Sequence, residues 1–184
     1  MIKDAMQQAG VAYSDLSCVG LNGGPGSYTG LRIGLSTAKG ICYAAGVPLV
    51  MVDSLLSYAN GLVASQNVNV DELIVSTVDN RRDELFYAVF DSRLNRLQDV
   101  TLTVATDETL TQRLGGKCVV VGSAAGKLSK VYSESESLRY VDVAPSASHL
   151  LKPVVQMVNE KKFADLAYSE PFYYKEVYIA PKKP

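Results

Sequence analysis

The strongest constraint on the fold is a strand–turn–helix–strand pattern in the first third of the sequence. A short apolar run at 18–21 leads into the turn-forming residues 22–26 (NGGPG), and a helical pattern of apolar residues follows from Thr29 to Ala45. A second apolar run, at 48–52, comes directly after that helix. Two strands joined by one helix form a βαβ unit and pair in parallel. The sequence therefore predicts an α/β fold.

The rest of the chain divides into an opening helix and a strand-rich second half. Residues 1–9 carry one apolar helical stripe, and Gly10 is typical of a left-handed stop. Three runs, 73–78, 85–91 and 97–104, predict an antiparallel meander. A short helix is expected to start at Thr106 or Asp107 and to end before Gly115. The other expected elements are strands at 118–121 and 138–143, a turn and helix at 122–130, and a helix capped by Ser146 and broken near Pro153. The polar stretch 65–69 predicts a boundary between a first domain, 1–66, and a second, 67–184.

Composition excludes several classes of protein. The 184 residues are 47% hydrophobic and 20% charged with a net charge of -1, which is typical neither of a disordered chain nor of a dedicated nucleic-acid binder. Three distant cysteines predict no disulfide framework or zinc ribbon, and one histidine excludes sites that need two. No apolar run is long enough to span a bilayer, and the first ten residues are not typical of a signal peptide. We therefore expect a cytoplasmic, reduced protein that binds no membrane.

The glycine-rich loop is the strongest local motif. Residues 23–32 (GGPGSYTGLR) lie between a predicted strand and a helix N-terminus, where backbone N–H groups and the helix dipole favour an anion. Leu31 stands where a P-loop has its lysine, and Thr29 stands where the dinucleotide fingerprint has a glycine. The favoured interpretation is a tight structural turn that lets a helix pack closely, and anion binding is the alternative.

Three weaker candidates have structural explanations that we favour. Residues 122–127 (GSAAGK) are one residue short of a phosphate loop, and Leu128 replaces its Ser or Thr, which favours a strand-to-helix turn. His149 has no nucleophile at a diagnostic spacing, so a surface or capping role is expected. Residues 79–84 (DNRRDE) predict a solvated hairpin tip. Alternatively, they form a recognition loop for a partner or for RNA phosphates, although two arginines are too few to bind nucleic acid alone.

Small residues lie on more than one side of the helix predicted at 29–45. One row contains Gly30, Gly34 and Ala38, and another contains Ser36, Gly40 and Ala44. Each glycine inside a helix costs about 1 kcal/mol relative to alanine. We therefore expect close approach of a sheet on one face and of a second helix or a second protein on another.

Three segments resemble the TsaB (YeaZ) family. The longest is 24–59, which carries the family's GPGS-(F/Y)-TGLRIG loop, AKG helix, Pro-led strand and S-L helix in order. Residues 76–90 resemble its strand–DARRxEVY–strand segment, with Asn80 where Ala is usual. Residues 170–175 resemble its P-x-Y-L-R element, with Tyr174 and Lys175 in place of Leu and Arg. The resemblance covers nearly the whole chain, with a looser match at 95–165.

The resemblance implies a fold and a function. The fold is the actin/Hsp70/sugar-kinase-like (ASKHA, ribonuclease H-like) α/β fold of two small lobes. The function is that of a non-catalytic partner of a TsaD-like protein in forming threonylcarbamoyladenosine at position 37 of tRNA, with a TsaE-like ATPase in a larger complex. A homodimer is expected when the chain is alone, and tRNA is expected to be contacted only through the complex. The alternative is an ASKHA-type ATP-using enzyme or an M22-like peptidase acting on a partner protein.

The resemblance also assigns residues. The family loop comprises Gly24, Pro25, Gly26, Ser27, Tyr28, Thr29, Gly30 and Arg32. The helices that pair in the family correspond to a partner interface that contains Ile2, Met6, Leu31, Gly34, Leu35, Ala38 and Cys42, divided between the sheet and the partner. A bulky charged residue at Gly34 or Ala38 is expected to weaken pairing but to leave a folded monomer. No catalytic residue, metal ligand or cofactor is expected. Because family members begin with a β-hairpin region, the chain is expected to be N-terminally truncated, with a first lobe that lacks its initial strands.

Overall fold

The computed structural model describes residues 2–107, 114 and 116–174. Its helices α1 to α5 are Ile2–Ala9, Tyr28–Ala45, Ser54–Ala64, Ala125–Val131 and Leu151–Asn159. Its strands β1 to β7 are Val19–Gly24, Leu49–Asp53, Leu73–Asp79, Glu84–Phe90, Arg96–Val104, Cys118–Gly122 and Leu138–Tyr140. Two 3-10 helices, Tyr13–Asp15 and Ala147–Leu150, precede β1 and α5. Within these described ranges, no helix is both long and apolar enough to cross a bilayer.

The first sheet contains β1 and β2, which pair in parallel. Helix α2 joins them and ends at Gly46, whose φ of 69° is the left-handed cap that glycine adopts without strain. The apolar stripe of α2 packs against the sheet in one cluster of buried side chains, Leu35, Ala38, Cys42, Leu49 and Met51. The predicted βαβ unit is therefore confirmed. Strand β1 runs further than predicted, to Gly24, because a register shift after Asn22 carries its pairing on to Asp53.

The second sheet has the strand order β5-β4-β3-β6-β7. Strands β3, β4 and β5 form the predicted antiparallel meander, and β6 and β7 run parallel to β3. Helix α3 covers one face through Leu55, Ala59 and Leu62. Helix α4 covers the other through Leu128. Strand β7 stops at Tyr140, short of the predicted 143.

Two predicted helices have different outcomes. Ser146 caps the 3-10 helix Ala147–Leu150, and α5 begins only at Leu151, so the predicted break near Pro153 is confirmed. Pro153 is the third residue of α5, where an N–H would have no intrahelical acceptor. The helix expected to start at Thr106 or Asp107 and to end before Gly115 falls mostly outside the described residues. Of that segment, Thr106, Asp107 and Leu114 are described, and Leu114 is buried in the core.

The end of the described chain returns to the first sheet. Val154 of α5 packs with Val50 and Val52 of β2. Further on, Ala164 N–H donates to the Leu49 carbonyl at 2.8 Å. We call residues 163–174 the strap, because this segment lies across β2 and then meets the glycine-rich loop. The division at 66/67 stays a prediction.

Candidate functional site

The glycine-rich loop forms the turn from β1 into α2. The peptide bond between Gly24 and Pro25 is cis. Ser27 caps α2, because its hydroxyl accepts from Gly30 N–H at 3.3 Å and its carbonyl accepts from Leu31 N–H at 2.8 Å. The family loop is therefore the beginning of a capped helix.

The strap explains why two of these glycines have no side chain. A Cβ added at Gly23 would lie 2.8 Å from Phe172 Cε2, and one at Gly24 would lie 3.0 Å from the Phe172 carbonyl oxygen. Phe172 N–H also donates to the Gly23 carbonyl at 2.8 Å. The segment that packs closely against the glycines of the loop is therefore the strap.

An aromatic and basic cluster joins the strap to the first turn of α2. Arg32 Nε donates to the Tyr173 hydroxyl at 3.0 Å, and this bond holds the pKa of the guanidinium above its usual value. The guanidinium carbon of Arg32 lies 4.1 Å from the centre of the Tyr28 ring. The Tyr28 and Tyr173 ring centroids are 5.3 Å apart. Further along α2, Lys39 Nζ donates to the Ala167 carbonyl at 3.1 Å. These contacts fix α2 at several points along its length.

Helix α2 presents two different faces. Leu35, Ala38 and Cys42 are buried against this chain's own sheet. Gly34 also faces that sheet, since its Cβ position lies 3.3 Å from Leu21 Cδ1. On the opposite face, Ile33 is 64% exposed and Tyr43 is 83% exposed.

The residues assigned from sequence to a partner interface therefore separate into two groups. The first group faces this chain's own sheet and contains Gly34, Leu35, Ala38 and Cys42. Leu31 is half-buried and contacts the loop, where its Cδ1 lies 3.1 Å from the Cβ position of Gly24. Because Ala38 is buried in the core, a charged residue there is now expected to unfold the protein rather than to leave the folded monomer expected from sequence. In α1, no residue is buried, with Ile2 exposed and Met6 half-buried. Neither Ile33 nor Tyr43 is among the residues that the sequence assigned to this interface.

A cleft of about 680 Å³ opens beside the loop, at the carboxyl ends of β1 and β3. Polar side chains on its wall include Asn22, Ser27, Ser54, Ser57, Tyr58 and Ser123. The Ser54 hydroxyl lies 2.6 Å from both the Pro25 carbonyl and the Asn22 side-chain oxygen, so it ties the loop to α3. Among the described residues that line the cleft, the charged one is Asp79. The wall therefore offers hydroxyls, but no basic side chain for a polyphosphate.

The turn at 122–127 is structural, as predicted. Gly122 has a φ of 110°, and a Cβ there would lie 2.0 Å from the Thr77 carbonyl oxygen. Lys127 Nζ donates to Asp79 Oδ1 at 2.9 Å, to the Glu84 carbonyl at 3.2 Å and to the Arg82 carbonyl. This lysine therefore braces the hairpin between β3 and β4.

His149 is half-buried, with its ring turned toward α3, so the predicted surface or capping role is wrong. Its ring packs on α3 at Gly61, where an added Cβ would lie 2.6 Å from both Cε1 and Nδ1. Nδ1 is buried without a hydrogen-bond partner in the described part of the chain. The capping role belongs to Ser146. Within the same residues, no three His, Cys, Asp or Glu side chains group as a metal site would require.

Comparison with known proteins identifies the family. The family model described as "TsaD: tRNA N6-adenosine threonylcarbamoyltransferase" matches residues 1–113. The tRNA threonylcarbamoyladenosine biosynthesis protein TsaB of Escherichia coli (strain K12) is 28% identical over 180 residues, which cover 94% of this chain and 77% of that protein. The chain belongs to the family of that model, on its TsaB (YeaZ) branch. A tRNA N6-adenosine threonylcarbamoyltransferase of Geobacillus thermodenitrificans (strain NG80-2) is 41% identical over 78 residues, or 41% of this chain and 23% of that enzyme.

Solved structures extend the TsaB likeness to the fold. YeaZ from Pseudomonas aeruginosa superposes with a TM-score of 0.79 at 20% identity, covering 94% of this chain and 81% of that one. A second structure, described as an uncharacterized protein with similarity to peptidase YEAZ from the same organism, gives a TM-score of 0.80 at 20% identity. The ASKHA-like α/β fold expected of a TsaB-family chain is thereby confirmed.

Proposed function

We propose that this TsaB-family chain is a non-catalytic partner of a TsaD-like transferase in forming threonylcarbamoyladenosine at position 37 of tRNA. The Escherichia coli relative, which matches 94% of the chain, is named for this biosynthesis. The observation that carries the proposal is the two-faced helix α2. One stripe of α2 packs into the core, and the other face carries Ile33 and Tyr43, which the described part of the chain leaves exposed.

The outer face of α2 suits a docking surface. Ile33 and Tyr43 are exposed on it, and Gly40 lies between them with no heavy atom within 4 Å of its Cβ position. A partner helix can therefore approach closely there, as small residues permit. The Ser27 cap and the strap hold α2 in place, so little ordering remains to be done on binding. Burying an aromatic and an aliphatic side chain of this size contributes roughly 1.5–3 kcal/mol each.

The proposed partners follow from the same face. In the transferase complex it contacts the TsaD-like protein, and in the isolated chain a second copy covers it as a homodimer. A TsaE-like ATPase joins the larger complex, and tRNA is contacted within that assembly. This role places the chain in the cytoplasm.

The non-catalytic assignment rests on how the candidate groups are used. The His149 ring is packed against α3, and Lys127 donates to three oxygens of the hairpin. Ser54 is 3% exposed and bridges the loop to α3. Each of these side chains serves the fold, which is consistent with chemistry carried out by the partner.

Reconstitution of the modification tests the proposal. The complete mixture contains a TsaD-like transferase, a TsaE-like ATPase, the synthase that makes the threonylcarbamoyl donor, ATP, bicarbonate, threonine and unmodified tRNA. We expect modification to depend on this chain. Equal modification without it would contradict the proposal, and ATP or peptide hydrolysis by the chain alone would favour the alternative enzyme.

A further inference from the structure

Two consecutive arginines occupy an unfavourable backbone conformation at the tip of the β3–β4 hairpin. Arg81 has a φ of 59° and Arg82 a φ of 43°. Bulky L-residues rarely adopt this left-handed region, and turns that need it ordinarily use Gly, Asn or Asp. The choice of two arginines therefore does not serve the turn itself.

Contacts from three directions hold this tip. Asp79 Oδ1 accepts from Arg81 N–H at 2.8 Å and from Lys127 Nζ at 2.9 Å. Lys127 also donates to the Arg82 and Glu84 carbonyls. From β5's end, Ala105 N–H donates to the Asp83 carbonyl at 2.7 Å. Strained conformations persist where the surroundings over-determine them, and they cluster at functional sites.

The two guanidinium groups are available for a partner. Arg81 and Arg82 are exposed, and within the described part of the chain neither side chain has a hydrogen-bond or ion-pair partner. Asp79 and Lys127 neutralise each other in their ion pair. The two guanidinium groups therefore stand beside the carboxylates of Asp83 and Glu84, and the Glu84 carboxylate accepts from Asn80 Nδ2 at 2.8 Å. A guanidinium offers a planar fork of N–H donors that matches two oxygens of a phosphate group.

We propose that Arg81 and Arg82 contact phosphate groups of the RNA backbone when this chain is part of the tRNA-modifying complex. The inference rests on the function proposed above and adds a place where the chain itself meets the RNA. The tip borders the cleft, since Asp79 lines it and Asp79 N–H is bonded to the cleft residue Ser123 at 3.0 Å. Two phosphate contacts do not bind RNA alone, but they position RNA that is held mainly by the partner.

The decisive variant replaces the strained arginines with residues suited to the turn. Arg81→Asn with Arg82→Gly removes both charges and relieves both unfavourable conformations. Arg81→Lys with Arg82→Lys keeps the charges without the planar fork. Arg93→Gln with Lys117→Gln is the matched control, because it removes two exposed positive charges at the opposite end of the same sheet. The measurement is the dissociation constant of unmodified tRNA from the complex with the transferase, across a series of KCl concentrations.

The Asn–Gly variant is expected to bind tRNA several-fold more weakly. The slope of log affinity against log salt should fall in magnitude by about 1.4 to 1.8, for two lost phosphate contacts. The same variant should melt at the same temperature as the wild type or higher, because the turn is relaxed. The Lys–Lys variant should keep most of the slope, and the control variant should match the wild type.

Two results would overturn the inference. The first is an unchanged tRNA affinity and salt slope in the Asn–Gly variant. The second is that this variant no longer binds the transferase when no RNA is present, which would mean that the tip contacts an acidic protein surface. Either result leaves the proposed function intact, provided that the wild-type chain still supports tRNA modification. Modification that proceeds without the wild-type chain would instead remove the proposed function, and with it the basis of this inference.

Discussion

Asp53 and Arg96 connect the two sheets. The Asp53 carboxylate, at the end of β2, forms an ion pair with the guanidinium of Arg96 at the start of β5. Its other oxygen accepts from Leu56 N–H at 2.7 Å and so caps α3. The Arg96 guanidinium carbon also lies 4.8 Å from the centre of the Phe90 ring. One carboxylate therefore serves both a helix start and a contact between the two sheets.

Substitutions at Asp53 separate these two roles. Asp53→Asn keeps a good helix cap but leaves Arg96 without its anion, so we expect a loss of about 1 kcal/mol in the free energy of unfolding. Asp53→Ala loses both and should cost about 2 kcal/mol. Urea unfolding measures both values. Arg96→Met removes the other member of the ion pair. If the changes in the free energy of unfolding for Asp53→Asn and Arg96→Met simply add in the double variant, the two residues are not coupled.

Glu72 makes stability depend on acidic pH. Its carboxylate accepts from Arg139 at 3.0 and 2.7 Å and from Asn69 N–H at 2.9 Å. These bonds, Arg139 first, lower the pKa of Glu72 from 4.5 to about 2. Because the folded pKa lies below the unfolded one, the stabilisation is present above pH 4.5 and is lost as the pH falls toward 2. Allowing for the partly exposed arginine, it amounts to about 2 kcal/mol.

The pH dependence is tested with Glu72→Gln. The free energy of unfolding of the wild type should fall more steeply between pH 4.5 and 2 than that of the variant. Parallel curves for the two proteins would show that this carboxylate is not the group responsible.

The two faces of α2 should respond differently to a charge. Ile33→Glu is expected to leave the melting temperature nearly unchanged and to weaken both self-association and transferase binding, because Ile33 is exposed. Ala38→Glu is expected to unfold the unit formed by β1, α2 and β2, since Ala38 is 5% exposed among buried side chains. Circular dichroism and sedimentation velocity separate these effects. Unchanged association of a folded Ile33→Glu protein would exclude this face as the docking surface.

His149 and Gly61 should show strong coupling. Gly61→Ala places a methyl group 2.6 Å from the His149 ring and should cost roughly 1–3 kcal/mol of stability. In a His149→Ala background the same change should cost much less. His149→Ala should also leave tRNA modification in the reconstituted system unchanged. A large loss of modification by a folded His149→Ala protein would support the base role that the packing argues against.

Local patterns in the sequence were sufficient for most of the fold. Strands β1 to β5 and helices α1 to α3 follow from apolar periodicity and from turn residues that lie next to them in the chain. The break near Pro153 was predictable for the same reason. Strand β7 was predicted too long, because apolar residues recur at 141 and 143, beyond the residues that pair with β6.

The candidate site was less predictable, since its contacts join distant parts of the chain. The loop was expected to be a tight turn, but Tyr173 lies 141 residues after Arg32, and no local pattern links the strap to the loop. Similarly, nothing near His149 in sequence indicates that it packs on Gly61. In α2, small and apolar residues occur on both faces, so periodicity alone did not show that Ala38 and Cys42 face the chain's own sheet.

The most direct test of the central claim is a titration of this chain against a fixed amount of transferase, with the initial rate of threonylcarbamoyladenosine formation on tRNA as the readout. A non-catalytic partner should raise the rate until it reaches a fixed molar ratio to the transferase and then have no further effect, and Ile33→Glu should shift that saturation to higher concentration. A rate that is independent of the chain, or one that keeps rising in proportion to it beyond stoichiometry, would contradict the account.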